Sequence, residues 1–269
     1  MITKRNICVF LLITLGLILC LCLITGLADR FQIQTDSLSQ SNKWAIIIGI
    51  GNYKYLDVDT RYANKDALAI SKQLEYFFGY DHIKTLVDSD ATEENIKMAI
   101  AEWLNPKEKK NDTVLLFFAG HGNSAFLEMY DSLKNSNCND IGYQDLNTWL
   151  DDLDTNNITI LLDSCESGNY GTKISGTNRV ILTGGMGNEK CWQEKKYEHG
   201  IFTYYILNSF DHLNNVDIDN DGEVSIEEIY TFVKKDIAIE FQNYPPPSPQ
   251  HPNIIDNHKG EIEIINLSH

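Results

Sequence analysis

A histidine and a cysteine each stand shortly after an apolar segment of the sequence. His121 lies between two glycines directly after residues 113–119, and Cys165 comes shortly after residues 158–162. A cysteine thiol, with an ordinary pKa near ~8.5, becomes a strong nucleophile when a neighbouring imidazole favours its thiolate. These residue types therefore predict nucleophilic catalysis, with Cys165 as the nucleophile and His121 as the group that moves the proton.

The elements that carry this pair alternate between strand and helix patterns. Apolar runs predict five buried strands, at residues 45–50, 83–86, 113–119, 158–162 and 180–183. Strands that alternate with helices favour a mostly parallel α/β sheet covered on both faces, where ligands bind at the carboxyl ends of the strands. His121 and Cys165 should therefore share one cleft. The backbone N–H groups of Gly122 and Cys165 are candidates to hold a substrate oxyanion there.

One acidic segment has the pattern of a calcium loop. From Asp217 the sequence reads DIDNDGEVSIEE, which fits the twelve-residue EF-hand loop at each diagnostic position. Gly222 allows the sharp turn of such a loop. The predicted ligands, which offer carboxylate, hydroxyl or backbone carbonyl oxygens, are Asp217, Asp219, Asp221, Glu223, Ser225 and Glu228. The pattern predicts one bound Ca²⁺, and the lack of a second loop favours a structural clip over a regulatory switch.

The N-terminal segment predicts export from the cytoplasm. Lys4 and Arg5 precede an apolar run over residues 7–27, which reaches the roughly 20 residues that cross a bilayer. The run favours an uncleaved membrane anchor, while small residues at positions 26 and 28 also allow cleavage of a signal peptide. Either interpretation places the rest of the chain outside the cytoplasm, as a single-pass membrane protein or a secreted one.

The composition is that of a globular and acidic protein. A formal net charge of −16 disfavours nucleic acid as a partner, because phosphate binding relies on Lys and Arg. The patterns divide the chain into an anchor or signal peptide (1–28), a polar tether (29–42), an α/β domain (43–213), the calcium loop with its helix (214–243), and a Pro-rich connector with a final strand (244–269). Residues 260–265 are the predicted final strand, at an edge of the sheet.

Three cysteines lie outside the apolar N-terminal run, namely Cys138, Cys165 and Cys191. An odd count in an exported domain indicates one free thiol. A disulfide between Cys138 and Cys191 would leave Cys165 free, although the spacing does not establish that pair.

The segments around the two reactive residues resemble a known group of enzymes. LLFFAGHGN and ITILLDSCESG resemble the signature blocks of the caspase, metacaspase and legumain clan of cysteine peptidases, whose first block supplies the catalytic His and second block the catalytic Cys. WAIIIGIGNYKY is similar to the opening strand of that fold, and HGIFTYYILNSF to a late helix of bacterial and archaeal members. The resemblance, over about residues 43–213, implies a caspase-like three-layer α/β fold. It also implies an endopeptidase that acts on proteins or peptides through His121 and Cys165.

Two aspartates are candidates for the substrate pocket. On an extended strand the side chain of Asp163 points the same way as that of Cys165, and Asp66 follows the first strand at the same edge of the sheet. YANKDALAI, which contains Asp66, resembles the metacaspase stretch that places an acid in the primary specificity pocket. The resemblance therefore implies cleavage after Arg or Lys. Two carboxylates in one pocket also favour a cation between them.

Two other functions stay open at this point. Glu166 stands where metacaspases usually have His, and CESG and LTGGMGNEKCWQE are also similar to legumain, which cleaves or transpeptidates after Asn. The second alternative is a catalytically silent caspase-fold binding module at the membrane surface. In that case Cys165 would not react with thiol-directed electrophiles in the folded protein.

Overall fold

The computed structural model describes residues 41–267. The predicted N-terminal anchor and most of the polar tether lie outside these residues. Across residues 41–267 there is no helix with the length and apolar character needed to cross a bilayer. The membrane segment therefore stays a prediction from the sequence.

The strands of the described chain form one large sheet and three small ones. In chain order they are β1 (Lys43–Gly49), β2 (His82–Val87), β3 (Thr113–Ala119), β4 (Phe126–Leu127), β5 (Ile141–Gly142), β6 (Asn157–Asp163), β7 (Arg179–Thr183), β8 (Gln193–Glu194), β9 (His199–Gly200), β10 (Glu223–Ser225), β11 (Asn253–Asp256) and β12 (Glu263–Asn266). The large sheet has the order β11-β7-β6-β3-β1-β2, and its strands are parallel except for β11. The predicted mostly parallel sheet is confirmed.

Helices cover both faces of this sheet. They are α1 (Ala63–Phe77), α2 (Glu93–Met98, continued by wider turns over Ala99–Leu104), α3 (Tyr143–Asp151), α4 (Ser167–Lys173), α5 (Ile201–Phe210), α6 (Leu213–Val216) and α7 (Ile226–Asn243). One apolar layer contains α1, α5 and α7, and the other contains α2, α3 and α4. Within β1 the side chains alternate between the layers, because Ile47 packs in the first and Ile46 and Ile48 in the second. Such a strand is apolar on both faces and reads as a continuous hydrophobic run.

A glycine at the end of β1 lets the first helix pack against the sheet. A Cβ atom on Gly49 would lie 2.3 Å from the carbonyl oxygen of Ala63, the first residue of α1. Thr92 accepts a hydrogen bond from Asn95 N–H at 3.2 Å and caps α2.

The last part of the chain differs from the sequence expectation in its pairing. The predicted final strand exists as β12, but it pairs antiparallel with β10 instead of joining the large sheet. The edge of the large sheet is β11, which lies in the segment predicted as a Pro-rich connector. The apolar residues of β12, such as Ile264 and Ile265, pack with Val224 and the inner face of α7, and this burial determines the partner of the strand.

A buried arginine ties three elements together beneath the sheet. Arg179, the first residue of β7, is 1% exposed. Its guanidinium pairs with the carboxylate of Asp151 and donates to Asn147 Oδ1 at 3.1 Å and to Ile174 O at 3.0 Å. Because these donors are matched by acceptors, the cation can stay in the interior.

Candidate active site

His121 and Cys165 lie at the same level at the carboxyl edge of the sheet. Ala119, the last residue of β3, pairs with Asp163, the last residue of β6, and each candidate follows its strand end by two residues. The strands β3 and β6 are direct neighbours, so their axes are about 4.8 Å apart. Both side chains line one cavity of about 260 Å³. The two residues that the sequence paired therefore share a cleft.

Two contacts fix the orientation of the His121 imidazole. Its Nε2 atom lies 2.9 Å from the carbonyl oxygen of Val58, and a hydrogen bond donated there leaves Nδ1 free to accept a proton. The backbone N–H of His121 donates to the hydroxyl oxygen of Tyr53 at 2.7 Å, and the two rings lie 4.9 Å apart. Neither partner was predicted. Val58 contributes a backbone atom that no residue type reveals, and the signal for Tyr53 is its place in GNYKY after β1.

The hairpin that follows the histidine leaves one backbone donor free. Gly122 and Leu127 form a bridge whose hydrogen bonds run between flanking residues, such as Asn123 N–H to Phe126 O at 2.9 Å. In this kind of pair the N–H of Gly122 itself points away from the hairpin. A Cβ atom on Gly122 would lie 3.0 Å from Ser164 Oγ, so the glycine fits closely against the residue before Cys165. Its N–H is thus available to a substrate oxygen.

Cys165 lies on a tight turn between β6 and α4. The next residue, Glu166, has a φ of 56°, a left-handed conformation that costs a non-glycine residue about 1–2 kcal/mol. The N–H of Glu166 donates to Glu189 O at 2.8 Å, which ties the turn to the loop after β7. Gly168 lets the two segments approach, because a Cβ atom there would lie 2.4 Å from Gly187 N. The close approach of these two backbone segments therefore explains why the sequence CESG has a glycine at position 168.

The carboxylate of Asp163 lies in the cavity wall and is already hydrogen-bonded. Its Oδ2 atom accepts from Thr203 Oγ at 2.7 Å and from Thr203 N–H at 3.2 Å. The residue is 8% exposed. Burial, together with the negative charge of Asp66, raises the pKa of Asp163 to about 7. Near neutral pH this carboxyl is therefore divided between two charge states, and a cation beside it would favour the charged one.

Asp66 is close to Asp163 but has other partners. Its Oδ1 atom lies 2.5 Å from His199 Nδ1, and its Oδ2 atom accepts from Gly200 N–H at 3.1 Å. Burial raises the pKa of Asp66 as well. A Cβ atom on Gly200 would lie 2.3 Å from Asp163 Oδ2 and 3.3 Å from Asp66 Oδ2, so the two carboxylates converge on this glycine. Asp163 is among the residues that line the cavity, and Asp66 is not.

Two loop segments that were not predicted form the walls of the cavity. One wall is residues 59–61, after β1, and the other is residues 191–193, after β7. They are joined by a hydrogen bond from Arg61 N–H to Gln193 Oε1 at 2.8 Å, across 132 positions of sequence. The residue types in these loops give no signal of this contact, so it becomes visible only in the folded chain.

The cysteines within the described part of the chain are all free thiols. Cys138 is exposed and Cys191 lines the active-site cavity, so a Cys138–Cys191 disulfide is not formed. The thiol of Cys191 donates to Ser164 O at 3.0 Å, and burial raises its pKa. It is therefore a packed, neutral thiol next to the segment that contains Cys165.

The predicted calcium loop lies between α6 and α7. One carboxylate oxygen from each of Asp217, Asp219 and Asp221 lies within 4.8 Å of the others. Gly222 has a φ of 88°, which produces the expected sharp turn. Within the described chain, Asp217 Oδ1 is buried and accepts no hydrogen bond. A buried, unpartnered carboxylate oxygen is suited to a cation, so these residues fit Ca²⁺.

The remaining predicted ligands are not part of this three-carboxylate cluster, and two of them cap the next helix. Ser225 Oγ accepts from Glu228 N–H at 3.2 Å, and Glu228 Oε2 accepts from Ser225 N–H at 3.0 Å, which forms a capping box for α7. Glu228 Oε1 accepts from Ile218 N–H at 2.6 Å. Glu223, the other predicted ligand, begins β10.

Comparisons with known proteins agree with this fold. The sequence profile described as caspase domain matches residues 42–258. Protein GSU0716 from Geobacter sulfurreducens superposes with a TM-score of 0.60 at 13% sequence identity, covering 84% of this chain and 100% of that chain. Caspase-1 from Spodoptera frugiperda superposes with a TM-score of 0.59 at 16% identity, covering 85% of this chain and 92% of that chain. A comparison with curated protein sequences found no significant match. At these identities the two structures establish the fold, and the profile match over most of the sequence establishes that the chain belongs to the caspase domain family of peptidases.

Proposed function

We propose that this protein is a cysteine endopeptidase in which His121 and Cys165 are the catalytic dyad. The observation that carries the proposal is the position of the two residues: each lies two residues beyond the end of its strand, and the two strand ends pair with each other. Both residues also line one cavity. The bond between His121 Nε2 and Val58 O supports it further, because it leaves Nδ1 as the proton acceptor.

The proposed reaction is hydrolysis of a peptide bond in two stages. The sulfur of Cys165 attacks the carbonyl carbon, His121 takes the thiol proton, and the N–H groups of Gly122 and Cys165 hold the oxyanion. His121 then gives the proton to the leaving amine. His121 then takes one proton from a water molecule as the water oxygen attacks the thioester carbon, and it passes that proton to the departing sulfur of Cys165 as the carboxylic acid product forms. Mutual positioning and oxyanion stabilisation supply most of the rate enhancement in such a site.

Asp163 supports a preference for Arg or Lys before the cleaved bond. Its carboxyl lines the cavity and its pKa is raised to about 7, so an incoming guanidinium or ammonium group would stabilise its charged form. Asp66 would act indirectly, since it holds Gly200 and His199 next to Asp163. Arg61 lines the same cavity and is a cation that an acidic or amide side chain could meet. This is the reason to test substrates with Asn and Asp as well.

The proposal includes one Ca²⁺ in the loop that starts at Asp217. Asp217, Asp219 and Asp221 would hold it, with Glu223, Ser225 and Glu228 in the remaining EF-hand positions. When bound, the ion would neutralise the acidic loop and stabilise its turn. A structural role is favoured because the loop is single.

One set of contacts connects the calcium loop to the active-site wall. The helix α7 begins at the loop, and near its other end Glu240 pairs with Lys196. Lys196 belongs to the hairpin of β8 and β9, whose first residue, Gln193, lines the cavity. A calcium effect on activity would therefore be transmitted through α7.

The proposed location is the outer side of a membrane, or the exterior if the N-terminal segment is cleaved. Support comes from Lys4 and Arg5 followed by the apolar run at 7–27. Fractionation of cells, with externally added protease as a probe of the catalytic domain, tests this placement. Recovery of the intact chain in the cytosol would contradict it.

The decisive experiment is hydrolysis of fluorogenic peptides that end in Arg, Lys, Asn or Asp, with the full chain in detergent. We expect cleavage after Arg or Lys, and its loss in Cys165→Ala and in His121→Ala. Cys138→Ala, which removes an exposed thiol, is the matched control and should stay active. Cleavage after Asn alone would favour a legumain-like enzyme. Inactivity on all substrates, with an unreactive Cys165 in folded protein, would favour the binding module.

A further inference from the structure

A single residue, Ser124, connects the loop of the histidine to the helix that follows the nucleophile. The N–H of Ser124 donates to Glu166 Oε2 at 3.0 Å. The carbonyl oxygen of the same residue accepts from Lys173 Nζ at 2.7 Å. Glu166 directly follows Cys165, and Lys173 is the last residue of α4. Both ends of α4 therefore contact the loop that begins at His121.

The backbone of Glu166 aims its carboxylate at this loop. With a φ of 56° the residue is in a conformation that glycine or asparagine adopts more easily. Its N–H and its carbonyl oxygen are used by Glu189 O at 2.8 Å and Asn169 N–H at 3.1 Å. Position 166 thus has a glutamate although its left-handed backbone conformation favours glycine or asparagine. The carboxylate of this glutamate accepts a charge-assisted hydrogen bond from the N–H of Ser124.

Hydrogen bonds within the turn at residues 123–126 hold Ser124 in place relative to its neighbours. Asn123 Oδ1 accepts from the N–H groups of Ala125 at 2.8 Å and Phe126 at 3.1 Å. Ser124 is three residues from His121 and two from Gly122. Movement of the Ser124 backbone would therefore move the proton acceptor and an oxyanion donor together, relative to Cys165.

We propose that Glu166 and Lys173 are positioning residues that hold His121 and Gly122 at the correct distance from Cys165 by clamping the backbone N–H and carbonyl groups of Ser124. The inference rests on the proposed peptidase function. Neither residue touches the substrate in this proposal. A misplacement of about 1 Å lowers the rate of such a reaction by about 100-fold.

A pair of variants at one position tests the carboxylate. Glu166→Gln keeps an oxygen acceptor, Glu166→Ala removes it, and both side chains must adopt the same positive φ, so the strain is matched. We expect Glu166→Ala to lower kcat by about 10–100-fold with KM within about threefold, and Glu166→Gln to retain most of kcat. Glu102→Ala, on the exposed face of α2, is the control for loss of a glutamate.

Alkylation of Cys165 by iodoacetamide, measured against pH, supplies a readout that a purely structural role would not change. If the clamp holds His121 near the thiol, Glu166→Ala shifts the pH midpoint of alkylation upwards and Glu166→Gln does not. Lys173→Met, at an exposed position, tests the other half of the clamp and keeps the test valid if Glu166→Ala does not fold. We expect it to lower kcat by about threefold or more, with Lys173→Arg close to wild type.

Three results would overturn the inference. They are equal kcat values for Glu166→Ala, Glu166→Gln and wild type, an effect confined to KM, and full activity of Lys173→Met. Failure of the proposed function looks different, because the wild-type chain would then be inactive on every peptide.

Discussion

Replacement of Asp163 by Asn should stabilise the fold at neutral and alkaline pH while it weakens cleavage after basic residues. In the wild type, burial raises the pKa of this carboxyl from 3.8 to about 7. A group whose folded-state pKa is raised contributes its full stability below about pH 4 and loses it as the pH rises through about 7, since the charged form is unfavourable to bury. An amide stays neutral throughout and avoids that loss.

The size of the effect follows from the two pKa values. A change from 3.8 to about 7 corresponds to about 4 kcal/mol in the free energy of unfolding between about pH 4 and pH 8. For a domain of this length, 1 kcal/mol changes Tm by about 2–4 °C, so the upper limit is about 8–16 °C. The hydroxyl and the backbone N–H of Thr203 can donate to an amide oxygen as well as to a carboxylate. These two hydrogen bonds therefore add a difference in stability between the variant and the wild type that does not vary with pH.

Thermal melts of wild type and Asp163→Asn from about pH 4 to pH 8 measure this difference. The Tm advantage of the variant should grow with pH and level off above about pH 7. Asp81→Asn, at an exposed position, is the control and should give a constant difference. An advantage for Asp163→Asn that is constant or shrinks with rising pH would refute the argument from burial.

The same variant separates stability from activity. If Asp163 receives the basic side chain, the more stable variant loses at least ~10-fold in kcat/KM on Arg and Lys peptides, because one partner of a buried charge pair is gone. Unchanged kcat/KM on those peptides would place the basic side chain elsewhere.

Three further predictions concern the calcium loop, the close approach at Gly200 and the buried arginine. Calcium at about 100 times its Kd should stabilise the fold by about 2.7 kcal/mol and raise Tm by about 5–11 °C. A chelator should reverse this effect, and Asp219→Asn should largely remove it. An unchanged Tm would contradict a calcium site. Gly200→Ala should cost about 1–3 kcal/mol in urea unfolding and reduce activity, because its Cβ atom would lie 2.3 Å from Asp163 Oδ2; a wild-type unfolding curve would show that the contact relaxes freely. Arg179→Met should lower the free energy of unfolding by about 2–4 kcal/mol in the same assay, because it removes the buried guanidinium. Arg61→Met, at an exposed position, should leave it unchanged. Equal unfolding curves for the two variants would argue against the buried network.

The elements that carry His121 and Cys165 were predictable because each depends on local pattern. Continuous apolar runs at β3 and β6 end just before His121 and Cys165, and parallel pairing of neighbouring strands then brings the two residues together. The turn at Gly222 and the three acids before it were predictable for the same reason, since they fall within one short segment, while calcium binding there stays a proposal.

What could not be predicted depends on contacts between distant segments. Val58 reaches His121 through a carbonyl oxygen, and Arg61 meets Gln193 across 132 positions. The final strand was recognised by its alternation, but alternation does not specify a partner, and the partner is β10. The short helix α4 contains two glycines in the run SGNYGTK, so helix propensity gives little indication of it.

The pairing of β10 with β12 has a consequence for the order of folding during synthesis. The strand partner of the calcium loop is made about 40 residues after β10, a delay of about 2–8 s at common translation rates. The delay is longer for Lys43, whose Nζ donates to Ile264 O at 3.1 Å across 221 positions. The first strand and the loop therefore both wait for the same late segment. A nascent chain halted before residue 263 would contain both signature blocks and every strand of the large sheet, and it would still lack the strand that pairs with β10. Synthesis of the large sheet is therefore complete before the acidic loop has its strand partner.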